Sequence, residues 1–207
     1  MKNILCFGDS NTWGYEPLIA CRYPIDVRWT GVLQDSLGDG FRVIEEGLNG
    51  RTNATNEADR PIRSGLDALP ILLESHRPLD LVVVMLGTND LKHGFGLTAS
   101  QIAAGARQVC RSILDCEHLA DDPPQILLIS PTHVESMPTD ERQLFLGAIE
   151  KSRELAVHYQ SLAQDLGLHF LDASKIVIKT DIDGVHWDVS QHKTFGLELA
   201  KVVKSKL

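Results

Sequence analysis

A serine, a histidine and a carboxylate can together carry out acyl transfer, and the two ends of this sequence hold such a set. Ser10 closes the run Cys6-Phe7-Gly8-Asp9-Ser10. Far downstream, Asp183-Gly184-Val185-His186 places a carboxylate three residues before an imidazole in a glycine-containing loop. A serine hydroxyl is a poor nucleophile until a base takes its proton, and the base needs a third group to orient it. The spacing lets Asp183 hold one ring nitrogen of His186 while the other faces outward. Acyl transfer also needs donors for the developing oxyanion. The backbone N–H of Ser10 is one candidate. Asn89, in Gly87-Thr88-Asn89-Asp90, offers a neutral amide, and Gly50, in Asn49-Gly50-Arg51-Thr52, can bring a backbone N–H close to a bound ester because it lacks a side chain. Each has a plainer use: Asp9 and Ser10 can cap a helix, Asn89 and Asp90 can form a turn, and Gly47 and Gly50 can shape one. Gly47 is the rival donor to Gly50.

These residues need a scaffold that brings positions 10, 50, 89 and 186 together. Short apolar runs alternate with longer helical patterns, which argues for parallel strands joined by crossover helices. Strands are expected over 3–7, 41–45, 80–86, 125–129 and 169–171. Helices are expected over 29–37, 66–76, 98–119 and 141–166, with a last one capped by Ser190 and running to about 204. The pattern predicts an α/β fold: a three-layer, flavodoxin-like, doubly wound arrangement with a five-stranded parallel sheet in the order 2-1-3-4-5, forming one domain over 1–207. Ligands bind at the carboxyl ends of strands in such sheets, where Ser10 and Asn89 both fall. The segments 15–28 and 131–138 read as irregular, and 92–97, with two glycines around Phe95, reads as a gate.

The composition is that of an ordinary globular protein with a sizeable core: 207 residues, 43% hydrophobic, 23% charged. A net charge of −8 without any basic run disfavours a nucleic-acid partner. No apolar stretch approaches the roughly 20 residues of a membrane span. The first strand follows Met1 almost directly, so a cytoplasmic protein without a membrane partner is expected. Cys6, Cys21, Cys110 and Cys116 show no C-x-x-C spacing, with Cys110 and Cys116 read as free thiols on a helix. Asp181, Asp183 and Asp188 match neither a calcium loop nor a zinc site, and no metal or cofactor is called for. His192 is the nearest rival base, but it falls in the last helix with Val189, not an acid, three residues before it. The G-x-S-x-G elbow of the α/β-hydrolases is absent, as is a phosphate-binding glycine motif. A non-catalytic module binding small ligands at the same sheet edge is the competing class.

Four blocks in order, Gly8-Asp9-Ser10, Gly50, Asn89 and Asp183-x-x-His186, together resemble the SGNH (GDSL-type) hydrolases. Asn11 departs from the family name, which implies leucine there. The wider runs Cys6 to Ser10, Asp26-Val27-Arg28-Trp29-Thr30-Gly31-Val32-Leu33 and Ile44-Glu45-Glu46-Gly47-Leu48 resemble the aryl-esterase and acyltransferase branch. The resemblance implies catalysis by Ser10, Asp183 and His186, an oxyanion hole of Ser10, Gly50 and Asn89, and no cofactor. It also implies small acyl esters as substrates, with water, an alcohol or peroxide as acceptor, and a homo-oligomer, up to an octamer, whose neighbouring subunits narrow the entrance. A carbohydrate O-acetyl ester is the alternative substrate. Asn11, Trp13, Asn49, Phe95 and Trp187 are the expected pocket residues, with Tyr15 beside them. Aromatic walls suit a short acyl group and an apolar or aryl leaving group.

Overall fold

Five apolar runs become the strands of one parallel sheet in the computed structural model, which describes residues 1–57, 59–137, 143–178 and 182–207. They are β1 (Lys2–Gly8), β4 (Phe41–Gly47), β5 (Leu81–Met85), β6 (Gln125–Ser130) and β7 (His169–Asp172). Their spatial order is β4-β1-β5-β6-β7, which is 2-1-3-4-5 in sequence order. Successive side chains point to opposite faces, so each central strand feeds two cores. Leu5, Phe7, Val82, Val84, Ile126 and Leu128 face one layer. Ile4, Cys6, Leu81, Val83, Met85, Leu127 and Ile129 face the other. Helices α3 (Gly65–His76), α4 (Ala99–Leu114) and α5 (Ala148–Leu166) cover the first face, and α2 (Trp29–Leu37) and α6 (Val189–Lys204) the second. No helix among the described residues is long and apolar enough to cross a membrane.

Several boundaries differ from expectation for local reasons. The 15–28 segment contains a small antiparallel hairpin, β2 (Tyr15–Glu16) with β3 (Cys21–Arg22). Helix α4 ends at Leu114 and a separate 3-10 turn spans Glu117–Leu119, so Cys116 lies beyond the helix. Helix α5 begins only at Ala148, after Gly147 in the left-handed region; the start expected at 141 lies outside the described residues. The cap of α6 is Asp188, not Ser190: its carboxylate accepts from Gln191 N at 2.8 Å while Gln191 Oε1 accepts from Asp188 N at 2.7 Å. The expected gate contains a 3-10 turn, His93–Phe95, and His93 N donates to Leu144 O at 2.8 Å.

The sheet edge that carries Ser10 is built on close approach. Gly8 and Gly47 are register partners at the ends of β1 and β4. A β-carbon on Gly8 would meet Thr12 Oγ1 at 2.1 Å, and one on Gly47 would meet Trp13 N at 2.1 Å. Both glycines let the one-turn helix α1 (Ser10–Trp13) pack directly on the strand ends.

Candidate active site

The turn carrying Ser10 is held from both sides. Asp9 caps α1, its Oδ1 accepting from Asn11 N at 3.0 Å. The Asn11 side chain then reaches across to the C-terminal loop: Nδ2 donates to Val185 O at 3.2 Å and Oδ1 accepts from Trp187 N at 3.1 Å. This clamp seats His186 beside Ser10, from which it is separated by 176 positions in the chain. Asp183 Oδ1 accepts the backbone N–H groups of Val185 and His186 at 2.9 and 2.8 Å, and Oδ2 lies 2.5 Å from His186 Nδ1. With Nδ1–H donating there, Nε2 is left to accept from the Ser10 hydroxyl, 3.0 Å away. Burial pushes the Asp183 carboxyl up, but the ring hydrogen bond, the charge of His186 and the two backbone N–H groups outweigh it and hold it below the usual range. Tyr15 packs on the imidazole at 4.5 Å between ring centroids.

The candidate oxyanion donors border the same cavity. Gly50 has φ of +82°, a conformation that suits glycine. Arg51 anchors the loop, its guanidinium donating to Gly8 O at 2.9 Å and to Glu46 O, and lying 4.3 Å from the Phe7 ring centroid. Burial lowers its pKa to about 10. Arg51 O accepts one amide hydrogen of Asn89 at 3.2 Å, leaving the second for the cavity. The N–H groups of Ser10 and Gly50 have no intramolecular acceptor among the described residues. Gly47, the rival donor, is packed under Trp13 N and does not border the cavity. Ser10, Gly50, Asn89 and His186 all line an open cavity of about 330 Å³.

This arrangement, a serine at a strand end with a histidine and aspartate from a distant loop, can be compared with known proteins. Residues 6–192 match the profile of the GDSL-like lipase/acylhydrolase family. The chain belongs to that family. Over its full length it is 39% identical to an M. smegmatis aryl esterase, all of which it covers, with a TM-score of 0.96. It is 36% identical to Est24, a carbohydrate acetylesterase from Sinorhizobium meliloti, again over all of both chains and with a TM-score of 0.96. A putative arylesterase from Agrobacterium tumefaciens str. C58 is 36% identical over all of both chains, with a TM-score of 0.88. A search of curated protein sequences returned no match.

Beneath the site of this GDSL-family esterase lies a buried polar layer. Both oxygens of Asp90 are 3.0 Å from Asn53 N, Asn53 Nδ2 donates to Tyr159 OH at 3.2 Å, and that hydroxyl donates to Leu86 O at 2.9 Å. The network braces the turn bearing Asn89. Burial pushes Asp90 up to about 7 against the hydrogen bonds from Asn53, with Asp9 adding to the rise. Burial likewise pushes Asp9 up to about 6. An unfolded Asp titrates at about 3.9, so between about pH 4 and 7 these two carboxyls bind more protons in the native state than in the unfolded chain. Asp90 therefore stabilises the fold fully below that window, and its contribution is lost as pH rises through it. Buried His192, its pKa lowered, works in the opposite sense, so the quantity to read by urea unfolding from pH 4.5 to 8 is the fall in stability that Asp90 itself contributes. Relative to Asp90→Asn, whose carbonyl can still accept from Asn53 N, the wild type should lose stability as pH rises; parallel curves would contradict the assignment. Asp183 has the opposite sign, its contribution being lost as pH falls through its lowered value.

The pocket differs most from the sequence reading. Trp187 is fully buried in the core beside Phe195, with its indole N–H on Thr132 Oγ1 at 3.1 Å. Although it directly follows His186, it does not border the cavity. Asn11 is buried as the clamp rather than as lining. Trp13 packs with the Arg22 guanidinium 5.2 Å from its ring centroid, and Phe95 sits in its 3-10 turn; neither borders the cavity. Asn49 does. The remaining walls are Tyr15, Arg60, Lys92, Leu144, Phe145 and Val185. His192 is buried; its Nδ1 accepts from Trp29 N at 3.3 Å, and burial lowers its pKa to about 3, so it packs α6 against α2. Asp181 lies outside the described residues. Among those described, no three His, Cys, Asp or Glu side chains are grouped to hold a metal.

Proposed function

We propose that this GDSL-family hydrolase is a serine esterase that cleaves short-chain acyl esters of aryl or alkyl alcohols through an acyl-enzyme on Ser10. Alcohols or peroxide would compete with water for the acyl group. The observation that carries the reading is the hydrogen-bonded chain from Asp183 through His186 to Ser10, opening on a cavity that also holds Gly50 and the free amide hydrogen of Asn89. His186 Nε2 takes the Ser10 proton as Oγ attacks the ester carbonyl. The oxyanion is held by the N–H groups of Ser10 and Gly50 and the Asn89 amide. Collapse breaks the bond to the leaving oxygen, which receives the proton from His186. Water or an alcohol, deprotonated by the same nitrogen, then releases the acyl group.

The direct test is to quench a reaction with p-nitrophenyl acetate in acid and map the modified peptide by mass spectrometry. One acetyl group on Ser10 is expected; steady turnover without it would overturn the reading. A second reading, a carbohydrate O-acetyl esterase, is favoured by the polar wall of Asn49, Asn89, Arg60 and Lys92, and faster deacetylation of an acetylated sugar than of p-nitrophenyl acetate would select it. We further propose a homo-oligomer, for which Leu18, Ile19 and Ile25, exposed on the 15–28 segment, supply apolar surface. Sedimentation as a monomer at all concentrations would remove that part.

A further inference from the structure

Arg60 stands on the cavity wall in a position that neither the hydrogen-bonded triad nor the oxyanion donors require. Its guanidinium lies over Gly50, where a β-carbon would come within 2.9 Å of both Nη atoms. Nη2 donates to Asn49 O at 3.2 Å. The nearby carboxylate, Glu57, is shared unequally: it is tightly bonded to Lys92 Nζ, whereas Arg60 Nη1 lies 4.0 Å from it, beyond hydrogen-bonding range. The Lys92 side chain is 8% exposed and enclosed in that pair, while that of Arg60 is 42% exposed. Two cations therefore lie beside the Glu57 carboxylate, and the described residues lining the cavity include no Asp or Glu. The charged side chains that line the cavity beside the 49–50 loop, Arg60 and Lys92, are both cations, in a chain whose net charge is −8.

A guanidinium has five N–H donors in a planar fork matched to a carboxylate. With one engaged by Asn49 O, donors remain for a ligand. We propose that Arg60 makes this site selective for esters that carry a carboxylate close to the scissile bond, such as hemi-esters of dicarboxylic acids. The proposal rests on the esterase reading and specifies its substrate class. Gly50 acquires a second purpose, since a side chain there would displace the guanidinium from the carbonyl it holds.

The test compares kcat/KM by pH-stat for charged and neutral pairs: monoethyl succinate against ethyl pentanoate, with the anion on the acyl side, and acetoxyacetate against propyl acetate, with it on the alcohol side. Arg60→Gln removes the charge but keeps an amide donor for Asn49 O. The charged-to-neutral ratio is expected to fall about tenfold for one of the two pairs, the effect of one unit charge near the ligand. Arg60→Lys should restore most of it, and added salt should shrink it in the wild type because the head is solvent-exposed. An unchanged ratio, or equal losses on both members of each pair, would overturn the proposal and leave Arg60 as a brace for the 49–50 loop. Binding of monoethyl succinate and acetoxyacetate to the Ser10→Ala protein, with and without Arg60→Gln, gives a readout without turnover. About tenfold weaker binding of one of them in the double variant, together with a wild type that cleaves no ester, would sink the esterase reading alone. Ester turnover with an unmoved ratio would sink the charge selectivity alone.

Discussion

Replacing Ser10 with alanine is expected to lower kcat/KM for p-nitrophenyl acetate by roughly 10⁵- to 10⁶-fold with the fold intact, because loss of the nucleophile disables the whole triad at once. The structural cost is small. Helix α1 is capped by Asp9, not by Ser10, and the clamp that positions the C-terminal loop runs through Asn11. Alanine suits the first position of a helix and removes only the hydroxyl that His186 faces at 3.0 Å. The oxyanion donors and the cavity are untouched, so a residual rate above the uncatalysed one should survive. Circular dichroism and thermal unfolding of the variant should overlay the wild type. A folded Ser10→Ala protein within tenfold of wild-type activity would mean that another group attacks the ester.

The scaffold was legible in the sequence because its signals are local and repeated. The run Leu81-Val82-Val83-Val84-Met85 is apolar at every position, as a strand buried on both faces must be, and it became the central β5. The Asp183–His186 pair was legible for the same reason: its members are three positions apart, and the loop wraps the carboxylate around its own backbone N–H groups. The pocket walls were not. Leu144 and Phe145 reach the cavity from the segment before α5, and Arg60 from the loop after β4, and nothing within either segment marks it as facing a site. Aromatic type misled in the opposite direction. Trp187 adjoins His186 in sequence, yet its ring is buried against Phe195 and its indole N–H is taken by Thr132. Asn11 carried a usable signal: a polar residue directly after Ser10 needs partners once buried, and its amide finds both a donor and an acceptor in the 185–187 loop.

That dependence on local wrapping makes Asp183→Asn the most informative change after the nucleophile. The expected loss is about 10⁴-fold in kcat, the magnitude associated with reversing the tautomer of a triad histidine. Oδ1 of the native carboxylate accepts from Val185 N and His186 N, and an asparagine oxygen can keep both bonds. Its amide nitrogen then occupies the place of Oδ2, 2.5 Å from His186 Nδ1 in the native protein. An N–H now points at that nitrogen, so the ring places its own hydrogen on Nε2 and can no longer accept the Ser10 proton. Loop geometry is preserved while the base is disabled, and the negative charge that favours the imidazolium is gone as well. Asp183→Ala differs in kind, since it also frees the two backbone N–H groups, and it should lower thermal stability as well as activity. The pair of variants separates orientation from architecture: asparagine should fold like the wild type with KM little moved and kcat lost, whereas equal stability losses in both would assign Asp183 to holding the loop. Asparagine activity within tenfold of wild type would show that His186 works without an aspartate behind it.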